Sequence, residues 1–338
     1  MLICLAIFLT GCVGASENEY YDEALESMDA GDYEAAVAIF DKAIAADTRL
    51  AESYRMQGIG YLHLGDNAAA IASLSRSLNS LDVTEVEFKK DVMYYLAEAR
   101  TKHGELARAI EVYTDIIAMG KDEKSLFLRG KLNLIDGHET EAKADFDKAI
   151  DGSRNYGLYL DIFNVYDGRR MSIEGQEYLS KALEIKPEKA ADYYERGRIY
   201  YYMKDYNSAK VELMIAINDG NTEAILLLGK VYIAMEDISG AKAMYQEYLE
   251  SGENMARAYN GLALCNIYEK NYDMALENIE KGLANSNDEE RQELLFNEIV
   301  VYEYKLDFTT AKEKMAKYLA LYPDDEVAIR ENEFLQSR

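Results

Sequence analysis

The sequence predicts an all-α fold, a solenoid of helical hairpins stacked one on the next, and three observations predict it. First, a set of small and aromatic residues recurs with a period of about 34: Tyr54, Gly58, Tyr61, Ala70 and Leu74 return as Tyr193, Gly197, Tyr200, Ala209 and Leu213. Second, apolar residues recur three and four apart, the spacing of an amphipathic helix. Third, turn residues interrupt each period near its middle, as at Ala30-Gly31-Asp32, Leu64-Gly65-Asp66 and Asp136-Gly137. A hairpin this short cannot bury its apolar face alone, so neighbouring hairpins must complete the core.

Nine such units begin at Glu17, Ala51, Lys90, Glu123, Tyr156, Ala190, Thr222, Ala256 and Gln292, with spacings of 34, 39, 33, 33, 34, 32, 34 and 36 residues. The eighth place of the unit is small in seven of the nine (Ala24, Gly58, Ala97, Gly130, Gly197, Gly229, Ala263), with Phe163 and Ile299 as the departures. The twentieth place is Ala36, Ala70, Ala109, Ala142, Gly175, Ala209, Ala241, Ala275 and Ala311. Small residues at these two places let the helices of a hairpin approach closely. Repeat five carries Phe163 against Gly175, which reads as a size swap across one contact. The five extra residues Leu81-Asp82-Val83-Thr84-Glu85 before Lys90 either lengthen a helix or bend the array.

These residues resemble the tetratricopeptide repeat, whose loose pattern runs aromatic, Leu-Gly, Tyr, Ala, aromatic, Ala, Pro. The resemblance covers residues 17–325. It departs from the pattern in two ways: Pro187 and Pro323 are the only prolines, and Tyr stands for the usual Trp. The resemblance implies a right-handed α-solenoid of about nine helix-turn-helix units. It also implies a non-enzymatic adaptor that holds a partner protein or peptide in its concave groove. Residues 324–338 read as a capping helix, with Asp324 and Asp325 as N-cap and first-turn acids. Val327, Phe334 and Leu335 should cover repeat nine while Arg330, Glu331 and Glu333 face water. The whole array is expected to form one domain.

Residues 1–11 are apolar and too short to span a bilayer, which takes about 20 residues. Leu9-Thr10-Gly11-Cys12 resembles the bacterial lipobox, which implies a signal peptide cleaved before Cys12 and a lipid on its sulfur. No Lys or Arg precedes the apolar run, so either the free amino terminus serves or the true start lies upstream. Residues 12–19 then form the lipidated Cys and a short tether. At about 3.5 Å per residue, Val13 to Glu19 reach roughly 25 Å, keeping repeat one near the membrane. The expected location is extracytoplasmic, lipid-anchored to the bacterial cell membrane. Cys4 leaves with the signal and Cys12 carries the lipid, so Cys265 has no cysteine to pair with. At the tenth place of repeat eight it reads as a small buried apolar residue.

A net charge of −25, from 62 acids and 37 bases, repels nucleic acid and anionic headgroups. Membrane attachment therefore rests on the covalent lipid alone. The search for chemistry finds no phosphate loop, since Gly229-Lys230 lacks the upstream glycine and has Ala224 instead. His63, His103 and His138 fall near the turns of three successive repeats, too far apart for one metal. No nucleophile–base–acid set emerges, and no catalytic residue, metal or cofactor is expected.

Tyrosines at the fourth place (Tyr20, Tyr54, Tyr159, Tyr193, Tyr259) and the eleventh (Tyr61, Tyr166, Tyr200, Tyr232, Tyr302) belong to the core pattern. Tyr21, Tyr94, Tyr95, Tyr194, Tyr201, Tyr202, Tyr268 and Tyr304 instead project from first helices toward the face that the resemblance makes concave. Exposed Tyr offers large amphipathic contact area with little rotamer entropy to lose. The ninth place points the same way, and repeats four to seven place Lys131, Asn164, Arg198 and Lys230 there, with Asp161 and Glu195 one turn away. This reads as a track for an anionic or carbonyl-rich extended ligand, against the alternative of ordinary variation on a solvated face. The Lys–Asn clamp by which some tetratricopeptide domains hold chaperone tails is absent, because Leu160 precedes Asn164 and Tyr194 precedes Arg198 by four. The leading reading is an envelope adaptor for a protein or peptide. The alternative is a glycan- or small-molecule-binding lipoprotein that uses the groove tyrosines.

Overall fold

In the computed structural model, many helices end where a residue takes positive φ, and several restart where a polar side chain caps the next first turn. The structure describes residues 19–81, 86–252 and 254–338. Within them lie 19 α-helices and no strand. The first four hairpins are α1 (Glu19–Asp29) with α2 (Tyr33–Ala45), α3 (Leu50–His63) with α4 (Asn67–Asn79), α5 (Val86–Lys102) with α6 (Leu106–Ala118), and α7 (Glu123–Ile135) with α8 (Glu139–Ile150). Three more follow: α9 (Tyr156–Gly168) with α10 (Ser172–Leu183), α11 (Ala190–Tyr202) with α12 (Tyr206–Asn218), and α13 (Glu223–Ala234) with α14 (Ile238–Glu250). The last two are α15 (Met255–Tyr268) with α16 (Tyr272–Ala284) and α17 (Asp288–Tyr304) with α18 (Phe308–Leu321). They are closed by α19 (Glu326–Gln336). The first helices start within two residues of the frame read from the sequence, apart from α5 and α17. The expected start at Glu17, the segment 1–11, Cys12, the tether before Glu19 and residues 82–85 lie outside the described residues.

The chain divides into two compact units at the Ser153/Arg154 junction, where the unbroken period had led to the expectation of one domain. The frame records which residues repeat, and that is the same on both sides of the junction. The turns differ. In the first unit the residue between the helices of each hairpin is glycine, at Gly31, Gly65, Gly104 and Gly137, with φ between 75° and 85°. In the second unit the same place is Arg170, Lys204, Glu236, Lys270 and Leu306, all with φ of 60–63°. A non-glycine residue is strained in that region by roughly 1–2 kcal/mol. An aspartate often follows and caps the second helix: Asp32, Asp66, Asp205, Asp237 and Asp307 each accept from a backbone N–H three residues on.

Packing inside the hairpins obeys the small-residue rule. A Cβ built on Gly58 would lie 2.6 Å from Leu74, one on Gly197 2.6 Å from Leu213, and one on Gly130 2.7 Å from Phe146. These glycines are therefore seats for the large residue at the twenty-fourth place of the partner helix. In repeat five the swap is real: a Cβ on Gly175 would stand 3.0 Å from the Phe163 ring. Cys265 is fully buried, and burial pushes its thiol up to about 12.

Three local expectations need correction. First, Tyr21 is buried, with its ring 5.9 Å edge-on to Phe40 and the Arg49 guanidinium 4.3 Å above it, so it does not face a groove. Second, α19 is capped by Asp325 and not Asp324, because the Asp325 carboxylate accepts from the Val327 and Ala328 N–H groups. It also accepts from the Tyr318 hydroxyl at 2.6 Å. Third, Ala328 and Leu335 carry the buried stripe of α19, whereas Val327 and Phe334 are 53% and 40% exposed. Glu331 is half-buried and interacts with the Glu303 carboxyl, whose acid is raised to about 7 by burial and by Glu331. The helical period fixed the stripe's direction only to within a residue on either flank. Both α5 and α17 run to 17 residues, longer than their partners, and α17 starts four residues before the Gln292 frame position. The Asn287 capping box with Glu290 sets that earlier start.

Candidate functional site

The first helices α5 and α7 present matching faces because positions two, six, nine and thirteen of the repeat share one side of a helix. Between them lies a groove of about 600 Å³. From α5 come Asp91, Tyr94, Tyr95, Glu98, Thr101 and Lys102, and from α7 come Lys124, Leu128, Lys131, Leu132 and Ile135. Tyr113 of α6 forms part of the floor. Of the residues singled out from the sequence, Tyr94, Tyr95 and Lys131 meet here. Lys124, Lys102 and Tyr113 join them and escaped the sequence reading. Lys124 was detectable, since it stands two helical turns before Lys131 on the same face.

Hydrogen bonds hold the groove's shape. Tyr94 donates to Asp122, the N-cap of α7, and shares a 2.7 Å hydrogen bond with the Ser125 hydroxyl. Burial pushes the Tyr94 phenol well above its ordinary value, and its bond to the Asp122 carboxylate pushes it further. Burial alone would raise Asp122, but the bonds from Tyr94 and Ser125 hold it below the usual carboxylate range. Tyr113 is pushed up to about 12 by burial, with the Glu98 charge adding to it. Together these bonds tie α5 to the start of α7 and fix the Tyr94 ring at the groove edge.

The charges divide into answered and unanswered. Asp91 pairs with Arg55 of α3, whose guanidinium also lies 5.2 Å from the Tyr95 ring centre. Lys102 pairs with Glu98 at 2.8 Å. Among the described residues Lys124 and Lys131 make no ion pair, and the Lys124 ammonium sits 4.3 Å over the Tyr94 ring. The groove therefore offers two free cations about 10.5 Å apart along α7, two tyrosine rings, and an apolar strip of Leu128, Leu132 and Ile135.

The remaining expected residues lie in the second unit, so the four-residue track divides: Lys131 in one unit, Asn164, Arg198 and Lys230 in the other. Asn164 and Lys230 are exposed. Arg198 is already answered, bonded to Glu195 at 2.8 Å with its guanidinium 5.9 Å from the Tyr194 ring. Tyr201 is half-covered by Tyr202 and Tyr206, each 5.9 Å away, and Tyr202 touches Phe163 at 5.6 Å. Tyr268 is 60% exposed. His63 stacks flat on Tyr33 with ring centres 4.2 Å apart. Among the described residues no three potential metal ligands stand together, and no helix is long and apolar enough to cross a membrane.

Comparison with known proteins adds the family of the repeats. Residues 21–85 and 226–290 match one sequence model of the tetratricopeptide repeat, and residues 91–118 match another. The chain thus carries tetratricopeptide repeats in both units. Such repeats bind proteins or peptides, and the proteins that carry them are in general adaptors and not enzymes. Among curated proteins no match is found. Similar solved structures include a tetratricopeptide repeat protein from Parabacteroides merdae ATCC 43184, 15% identical, covering 74% of this chain and 99% of that one at a TM-score of 0.47. MamA is 25% identical over 48% of this chain and 92% of its own, at 0.40. YrrB, described as having an unusual peptide-binding site, is 25% identical over 56% and 97%, at 0.36.

Proposed function

We propose that this chain is a non-enzymatic adaptor that docks an extended, acidic segment of a partner protein in the groove between α5 and α7. One observation carries the reading: among the described residues Lys124 and Lys131 make no ion pair and stand beside Tyr94 and Tyr95, in a chain whose net charge is −25. A free cation in so acidic a protein is a local exception that favours a negative ligand over the protein's own surface. A polyproline-II segment rises about 9.3 Å over three residues and returns to the same face. Carboxylates three apart would therefore meet both lysines while an intervening side chain lies on Leu128 and the tyrosine rings. Bonds to a charged partner contribute about 1.5–3 kcal/mol each.

The adaptor works at the bacterial envelope, held by a lipid on Cys12, as the Leu9-Thr10-Gly11-Cys12 motif supports. The exposed Asn164, Lys230 and Tyr268 of the second unit, with Tyr194, Arg198, Tyr201 and Tyr202, supply a further stretch of partner-binding surface. A glycan-binding reading asks for two parallel exposed tyrosines flanking a slot. Tyr272 and Tyr304 are parallel to within 6°, but they pack on each other at 6.1 Å.

The test compares Lys124→Glu and Lys131→Glu with Lys148→Glu, an exposed lysine of α8, in affinity capture from the native envelope. The groove reversals should each lose the captured partner at least tenfold with unchanged helicity, and Lys148→Glu should retain it. Equal losses at all three positions would reduce the groove to a general charge effect. Intact-mass analysis should show loss of residues 1–11 and an acyl mass on Cys12, and a free Cys12 thiol would remove the anchor from the proposal.

A further inference from the structure

A second cavity, of about 330 Å³, lies at the other end of the chain among α16, α17 and α18. Its composition is that of a small-ligand site: mostly apolar walls with a few placed charges, at the lower end of the usual size range. Leu283 of α16, Leu295 of α17 and Leu321 of α18 supply the apolar walls, and Leu321 is well exposed at the mouth. Tyr318 contributes ring surface alone, because its hydroxyl is committed to Asp325. The charges then separate as they do in the α5/α7 groove. Lys314 is answered by Glu298 at 2.7 Å, with its ammonium 5.6 Å from the Tyr302 ring centre, so that pair is neutral toward a ligand. Arg291 and Lys317 line the same cavity, are exposed, and among the described residues make no ion pair.

A largely apolar cavity lined by two exposed cations that make no ion pair among the described residues selects an amphiphile with a negative head. The geometry points to a binding site for an alkyl carboxylate, with the chain on Leu283, Leu295, Leu321 and the Tyr318 ring and the carboxylate held by Arg291 and Lys317. Charge complementarity chooses the head. A cationic or neutral head would leave both side chains unanswered, and the guanidinium of Arg291 offers a two-pronged match to a carboxylate. An anionic bilayer is a poorer source, because the protein's own charge of −25 repels such a surface. The site is distinct from the peptide groove and requires nothing of it.

Titration calorimetry on the full chain with dodecanoate below its micelle concentration tests the assignment. One saturable site is expected, and both Lys317→Glu and Arg291→Glu should weaken it at least tenfold while the melting midpoint stays put. Leu321→Ser, a change at an exposed position, should weaken it severalfold. Dodecyltrimethylammonium, with the same tail and the opposite charge, should show no saturation. The assignment is overturned if dodecanoate gives no saturable heat, if both charge reversals leave its affinity unchanged, or if the cationic amphiphile binds as well. It is also overturned in favour of a protein segment if a leucine- and glutamate-rich peptide saturates the site and dodecanoate does not.

Discussion

Replacing Gly261 of α15 with alanine would ordinarily stabilise a helix, by up to about 1 kcal/mol, because glycine is the costlier residue in a helix interior. Here the opposite is expected. A Cβ at Gly261 would stand 2.4 Å from two atoms of the Tyr245 ring, and on its other side the same ring sits where a Cβ on Gly229 would be 2.6 Å away. The ring is fully buried between two helices and cannot yield in either direction. Overpacking typically costs about 1–3 kcal/mol, and a ring clamped on both sides falls in the upper part of that range, about 2–3 kcal/mol, so after the propensity gain the net change is a loss of about 1–2 kcal/mol. For a unit of this size each kcal/mol moves the midpoint by roughly 2–4 °C, which gives a fall of roughly 2–8 °C by circular dichroism. Gly168 of α9, with no atom within 4 Å of its would-be Cβ, is the internal control. Gly168→Ala should raise the same midpoint slightly. If Gly261→Ala also raises it, the ring is not clamped and the close-packing account of these helices fails.

Other outcomes follow from the same structure. Ala209→Leu, at a fully buried contact, should cost about 1–3 kcal/mol. Among the described residues the buried hydroxyl of Tyr245 has no hydrogen-bond partner, so Tyr245→Phe should stabilise by about 1 kcal/mol or more, read as a higher midpoint. Asp145 is buried under a two-pronged bond from the partly buried Arg129 (2.6 and 2.9 Å), so Asp145→Ala should leave that guanidinium without its carboxylate and cost about 1.5–3 kcal/mol. The raised Glu303 acid binds its proton more tightly in the folded state than in the unfolded one. Stability from this group is therefore greatest below the unfolded value near 4.3 and is lost as pH rises through about 7. Thermal melts at pH 5 and pH 8 should show the higher midpoint at pH 5, and Glu303→Gln should narrow the difference.

The fold was legible in the sequence because the eighth and twentieth places are dictated by closeness. Only Gly or Ala fits where Leu74, Phe146 or Leu213 presses on the facing helix, so the constraint writes itself into the chain every 34 residues or so. One of the two exceptions was readable as well, since Phe163 against Gly175 conserves the volume of the contact. The groove was half legible. Position nine gave the direction of Lys131, but a direction is not an exposure. Tyr21 shares a concave position yet is roofed by Arg49, and Arg198 is neutralised by Glu195. Whether a charge is free depends on rotamers of neighbours a turn or a helix away, and the repeat pattern does not encode these. The division at Ser153 was invisible for a related reason, because the frame runs through it unchanged.

The most direct test of the docking claim is photo-crosslinking in the native cell, with a photoreactive residue placed at Tyr95 in the groove or at Lys148 on α8. The expected result is one discrete adduct from the Tyr95 position that disappears in the Lys124→Glu, Lys131→Glu double variant, and none from Lys148. Adducts of the same pattern from both positions, or an adduct at Tyr95 that survives both reversals, would contradict a docking groove between α5 and α7.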